Sequence, residues 1–180
     1  VKNRFFYCII FISAILPFAL FAGCGYSARS ALPAHLRTIH IEPFHNTIEY
    51  VTDNRDQIYI PLLEVNVRNA VVERYQFDGN LRIASAEVAD LILKGDLIAF
   101  RRIPLQYTDD DKVEEYRLEI AVNFVLLDTK QQVPLWMEPG FVGEATYFVR
   151  GPHATSESSA IQEAMVDLAR RVVERTIENW

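Results

Sequence analysis

Cys24 follows Phe21-Ala22-Gly23 and an apolar run from Phe5 to Leu20, with Lys2 and Arg4 supplying a positive start. Ala22 and Gly23 are small enough to let a peptidase approach the backbone, and the Cys24 thiol is then placed to receive a lipid. A basic start, an apolar run and a small-residue end are the layout of a cleaved secretory signal. A spanning helix needs about 20 apolar residues, and Pro17 interrupts this run. The predicted chemistry is one covalent lipid on Cys24, with residues 1–23 removed.

No catalytic constellation accompanies that thiol. His35, His40, His45 and His153 are scattered, and neither a cysteine nor an HExxH pattern completes a metal site. GxSxG, CxxC and a glycine-rich phosphate loop are absent from a chain with seven glycines. Asp109-Asp110-Asp111 lacks the spaced ligands of an EF-hand and reads as a solvated turn. Glu114, Glu115 and Glu119 have no partner of contrasting environment that would split a carboxylate pair into acid and base. The chain is predicted not to be an enzyme, and to need no metal and no cofactor beyond the lipid on Cys24.

The signal resembles that of a bacterial lipoprotein, with Phe21 where Leu is usual, and Val1 fits a non-AUG start codon. Removing it leaves 157 residues, one domain of ordinary size. These carry 16 basic against 24 acidic residues, a formal charge of −8. Nucleic-acid binding requires a basic face to displace phosphate counterions, so that class is excluded. Cys8 lies within the signal, which leaves Cys24 alone and rules out an intramolecular disulfide. One acyl chain of palmitate type binds a bilayer marginally, whereas two or three hold durably. Gly25 rather than Asp follows Cys24; by the same resemblance this favours the periplasmic face of the outer membrane.

Residues 24–36 lack periodicity and read as a tether, under roughly 45 Å when extended. Residues 37–180 read as a single domain. Ile39 and Ile41 alternate with Thr38, His40 and Glu42 in a first strand that stops at Pro43. Leu63, Val67, Ala70, Val71 and Tyr75 recur at helical spacing over 61–77, with Pro61 in the first turn. A short strand at 81–84 precedes longer ones at 91–103, 116–127 and 141–149. Gly95 marks a bulge or a close backbone approach within the first of these. A final helix over 158–180 buries Ile161, Ala164, Met165, Leu168, Val172, Val173 and Ile177, with Thr155, Ser156, Ser158 and Ser159 available as caps. This order predicts an α+β two-layer sandwich: two helices on one face of a mostly antiparallel or mixed sheet of about four strands.

If the three long strands run up, down and up, the 104–114 hairpin and the 150–156 turn share one end. Arg101, Arg102, Lys112 and Arg150 then gather near it, and arginine suits charge-assisted recognition of phosphate. Asp109, Asp110 and Asp111 would repel phosphate there unless a divalent cation bridged them.

The chain resembles the lipopolysaccharide-assembly lipoprotein family LptE. The resemblance rests on Cys24-Gly25-Tyr26, the Thr38–Phe44 stretch, Asn69-Ala70-Val71 and Ala89-Asp90-Leu91-Ile92-Leu93-Lys94-Gly95-Asp96-Leu97. It continues through Arg102–Tyr107, Glu115-Tyr116-Arg117-Leu118, Leu135-Trp136 and the 167–173 stretch. It implies a plug inside the outer-membrane β-barrel LptD, which helps the barrel assemble and helps deliver lipopolysaccharide to the cell surface. Lipid A phosphates are the ligand it implies for Arg101, Arg102, Lys112 and Arg150. Tyr107, Trp136, Tyr147 and Phe148 are the aromatic candidates for the barrel contact, because buried aromatic anchors dominate interfaces. The rival is another lipoprotein of similar build, a cell-wall synthase activator or lipid-transport accessory. A synthase activator would carry a longer linker to cross peptidoglycan.

Overall fold

The computed structural model describes residues 32–33, 35–49 and 59–178. The signal peptide, Cys24, residues 24–31 of the tether and Trp180 lie outside the described residues. The elements in chain order are β1 (Thr38–Ile41), β2 (His45–Asn46), α1 (Leu63–Asp78), β3 (Arg82–Ile83), β4 (Leu91–Tyr107), β5 (Val113–Asp128), β6 (Val133–Phe148) and α2 (Glu157–Glu178).

The strands form one mixed sheet in the order β3-β1-β4-β5-β6, and β2 also pairs with β4. β1 runs parallel to β3 and β4, whereas the long β4, β5 and β6 form an antiparallel meander. Both helices pack on one face, the expected α+β two-layer arrangement. The sheet has six strands rather than about four: β3 is the short strand expected at 81–84, and the two-residue β2 is the addition.

β1 and β2 are one strand interrupted near Pro43: Ile41 pairs with Leu93 and His45 with Asp96. Proline has no N–H for the ladder, and the chain steps around it. The step turns Phe44 inward over Gly95, where a Cβ would sit 2.9 Å from two ring carbons. Gly95 therefore marks a close approach, and the bulge in β4 falls further along, between Leu97 and Ala99.

α1 begins at Leu63, after Leu62 in the left-handed region, so Pro61 precedes the helix instead of entering its first turn. It ends where Gly79, at φ 76°, donates its N–H to Tyr75 O at 3.0 Å. Ser156 caps α2 by accepting the Ser159 N–H at 3.1 Å. The expected buried stripe of α2 is present: Ala164, Leu168 and Val172 are fully buried, with Met165, Val173 and Ile177 nearly so. Ile161 packs against the core from its edge.

Leu168 fixes how α2 sits on the sheet. It lies over Gly143 of β6, where a Cβ would overlap Leu168 Cβ and come 2.6 Å from Ala164 O. Tyr75 and Thr176 join the helices through a buried hydroxyl pair at 2.7 Å, and burial pushes the Tyr75 phenol well above its ordinary range. Asp90 ties β1 to β4. Its carboxylate accepts Thr38 N, Thr38 Oγ1 and Arg37 N at 2.9–3.2 Å and Lys130 Nζ at 2.8 Å. The bond from Lys130, followed by the backbone and hydroxyl donors, holds this carboxyl well below the usual range.

β6 starts at Val133, eight residues before the expected strand. Pro134 and the Pro139-Gly140 pair disguise its first half. β6 is an edge strand, where proline is tolerated. A bulge between the Val122–Phe141 and Phe124–Glu138 pairs absorbs the extra residue. Gly140 there adopts φ 63° and donates its N–H to Asn123 Oδ1 at 2.8 Å.

Candidate functional site

Strand alternation sends neighbouring residues to opposite faces, and the bulge after Leu97 decides which face each arginine takes. Leu91, Leu93 and Leu97 face the helices before it; Phe100 and Arg102 face them after it. Arg101 therefore points to the opposite, helix-free face. There it pairs with Glu119, Nη2 to Oε2 at 2.9 Å and Nε to Oε2 at 3.1 Å.

Arg102 joins four elements. Its Nη1 donates to both carboxylate oxygens of Glu157, in the first turn of α2, at 3.4 Å each. Its guanidinium lies 5.0 Å from the centre of the Tyr116 ring on β5. Tyr116 in turn stacks on Tyr147 of β6, with centroids 5.7 Å apart and planes inclined by 24°. Burial and the Glu157 charge raise the Tyr147 phenol, against an opposing hydrogen bond from Arg102.

Lys112 and Arg150 stand at the tip. Val149 N donates to Glu114 O at 2.9 Å, so Lys112 and Arg150 lie at the same end of the sheet. Both are exposed, and neither has a carboxylate partner among the described residues. Asp109, Asp110 and Asp111 occupy the same hairpin turn, which Thr108 closes by donating its N–H to Lys112 O at 2.8 Å. Arg102 lies opposite Leu118, four residues along β5 from Glu114, or about 14 Å at strand spacing. The structure thus places Lys112 and Arg150 at one end of the sheet, sets Arg102 deeper on the helix face, and puts Arg101 on the other face.

Of the four aromatic candidates, Tyr107 is exposed beside the hairpin turn, Phe148 and Trp136 are partly buried, and Tyr147 is 4% exposed within the core. Arg175 lies 5.7 Å over the Trp136 ring and donates to Glu138 at 2.8 Å. Sequence reasoning missed Tyr116 and Glu157 as the partners of Arg102. The alternation of β5 placed Tyr116 on the core face, but nothing local marks Glu157.

Among the described residues, no helix packs on the outer face of β4, β5 and β6. That face mixes the Arg101–Glu119 pair and a looser Arg117–Glu144 pair at 3.9 Å with Val125, Leu127 and the exposed Met137.

The lipopolysaccharide-assembly family model, LptE, matches residues 36–176. No curated protein matches the chain. Solved structures share the fold at low identity. A protein of the DUF330 family model from Xanthomonas campestris is 15% identical, with a TM-score of 0.54, covering 83% of this chain and 89% of its own. A minor lipoprotein from Acinetobacter baumannii is 15% identical, with a TM-score of 0.50 and coverage of 80% and 94%. A hypothetical protein from Chlamydia trachomatis is 12% identical, with a TM-score of 0.50 and coverage of 78% and 95%.

Proposed function

From its membership of the lipopolysaccharide-assembly family LptE, to which the chain belongs over residues 36–176, we propose that it is a non-catalytic outer-membrane lipoprotein. In this reading an acylated Cys24 holds it at the periplasmic face of the outer membrane. The domain sits as a plug in an LptD-type β-barrel, helps that barrel assemble, and assists delivery of lipopolysaccharide to the cell surface.

The family match over nearly the whole fold carries the proposal. Two physical features support it. The face of β4, β5 and β6 opposite the two described helices offers a partner a broad strand surface of mixed polarity, and non-obligate interfaces are mixed in this way. At the hairpin end, Lys112 and Arg150 are cations without a carboxylate partner among the described residues, in the same region as the exposed Leu105, Tyr107 and Val149. An amphiphile with phosphates on its head meets both kinds of group there, with Arg102 behind them.

Depletion of the chain in its native host tests the role. Surface-exposed lipopolysaccharide should fall, and the barrel should accumulate misassembled. Normal surface lipopolysaccharide together with a cell-wall synthesis defect would transfer the assignment to a synthase activator.

A further inference from the structure

Away from the hairpin end, helix residues alone line an open groove of about 320 Å3: Ala70, Glu73, Arg74 and Phe77 of α1 with Val166 and Ala169 of α2. Ala70 and Ala169 are buried, and their small side chains leave a shallow trough where the helices meet. Phe77, 82% exposed, and Val166, 51% exposed, form apolar walls that the fold itself does not use.

Arg74 is the unusual member. Its guanidinium lies 5.4 Å over the Phe77 ring, and its Nε is buried with no hydrogen-bond partner. It has no carboxylate partner among the described residues. A buried donor left unpaired is costly and calls for a reason. Glu73 shares the groove but is exposed, so solvent screens its charge.

We propose that this groove binds one medium-chain fatty acid, its carboxylate on the Arg74 guanidinium and its aliphatic chain along Ala70 and Ala169 between Phe77 and Val166. The carboxylate is the charge complement of the unpaired cation. The volume holds about ten methylene-sized groups at roughly 30 Å3 each, which suits a dodecyl chain. A protein occupant fits less well. It would cover roughly 800 Å2 on this side, yet the α2 positions flanking Val166 are the exposed polar Gln162, Glu163 and Arg170.

Calorimetric titration of the purified full chain with sodium dodecanoate, below its micelle concentration, tests the site. One dodecanoate should bind per chain. Arg74→Gln should weaken binding about tenfold, the scale of one charge-assisted bond, and dodecyltrimethylammonium should bind more weakly by a similar factor. Val166→Trp changes an exposed position, fills the groove and should abolish binding while the unfolding midpoint stays unchanged. Equal dodecanoate affinity in Arg74→Gln, or binding that survives Val166→Trp, would overturn the proposal. Displacement of dodecanoate from the groove by an acidic amphipathic peptide of higher affinity would overturn the fatty-acid occupant in favour of a protein.

Discussion

Arg102 and Glu157 face each other across the junction of β4 with the first turn of α2, with Nη1 3.4 Å from both carboxylate oxygens. The stack of Arg102 on Tyr116, and of Tyr116 on Tyr147, locks this pair to the sheet. Glu157 also sits where a helix N-terminus favours negative charge. An anionic ligand reaching Arg102 must therefore displace a carboxylate already held there. Both side chains are about one-third exposed, and pairs of that kind contribute about 0–1 kcal/mol. Displacement is within reach of a phosphate.

Two changes separate a ligand site from a structural pair. Glu157→Gln should strengthen binding of lipopolysaccharide to the full chain, because it removes the competing carboxylate and keeps the side-chain shape. Arg102→Glu combined with Arg150→Glu should weaken binding while the barrel complex persists. Unaltered lipopolysaccharide binding in both variants would remove these residues from the mechanism.

The seat of α2 on β6 yields a stability prediction. Leu168→Ala deletes a fully buried side chain and should cost about 2–5 kcal/mol. Gly143→Ala, from the opposite side of the same contact, should cost about 1–3 kcal/mol by overpacking. Denaturant unfolding of both variants measures these losses, and an unchanged midpoint for either would show that the contact is absent.

Much of this packing was legible in the sequence. The α2 stripe around Leu168 and the alternation of Leu118, Ile120, Val122, Phe124 and Leu126 follow local periodicity, and of the two readings open for Gly95, a bulge or a close approach, the Phe44 ring decides for the second. The first half of β6 was not legible, because Pro134 and Pro139 signal a break and only an edge position makes them tolerable. The faces taken by Arg101 and Arg102 were also hidden. They depend on a one-residue bulge near Ile98 that reverses the parity of everything after it. The Arg102–Glu157 pair spans 55 residues and exists only once α2 has docked. The Arg74 groove escaped for a similar reason, since Ala70 reads as an ordinary core residue, and Ala169 falls outside the expected stripe, until the helices are placed side by side.

Acid sensitivity follows from Asp90. Its folded carboxyl titrates below its unfolded value of about 4. A depressed carboxylate contributes stability that is present above the unfolded value and is lost as pH falls through the folded one. Stability of the chain should therefore decline below about pH 4, and Asp90→Asn should be less stable at neutral pH with a shallower acid slope. Parallel acid slopes for the two proteins, followed by urea unfolding at each pH, would contradict this role for the Asp90 cluster.

In the proposed reading, membrane attachment runs through the Cys24 thiol. Cys24→Ala should abolish metabolic labelling with palmitate and leave an unprocessed or soluble exported form. Labelling that continues in Cys24→Ala would place the lipid elsewhere.

The proposed function turns on partnership with a barrel. Affinity purification of the tagged chain from solubilised outer membranes, followed by native mass measurement, should recover one chain with one LptD-type β-barrel. Recovery of a cell-wall synthase, or of the chain without any barrel, would contradict it.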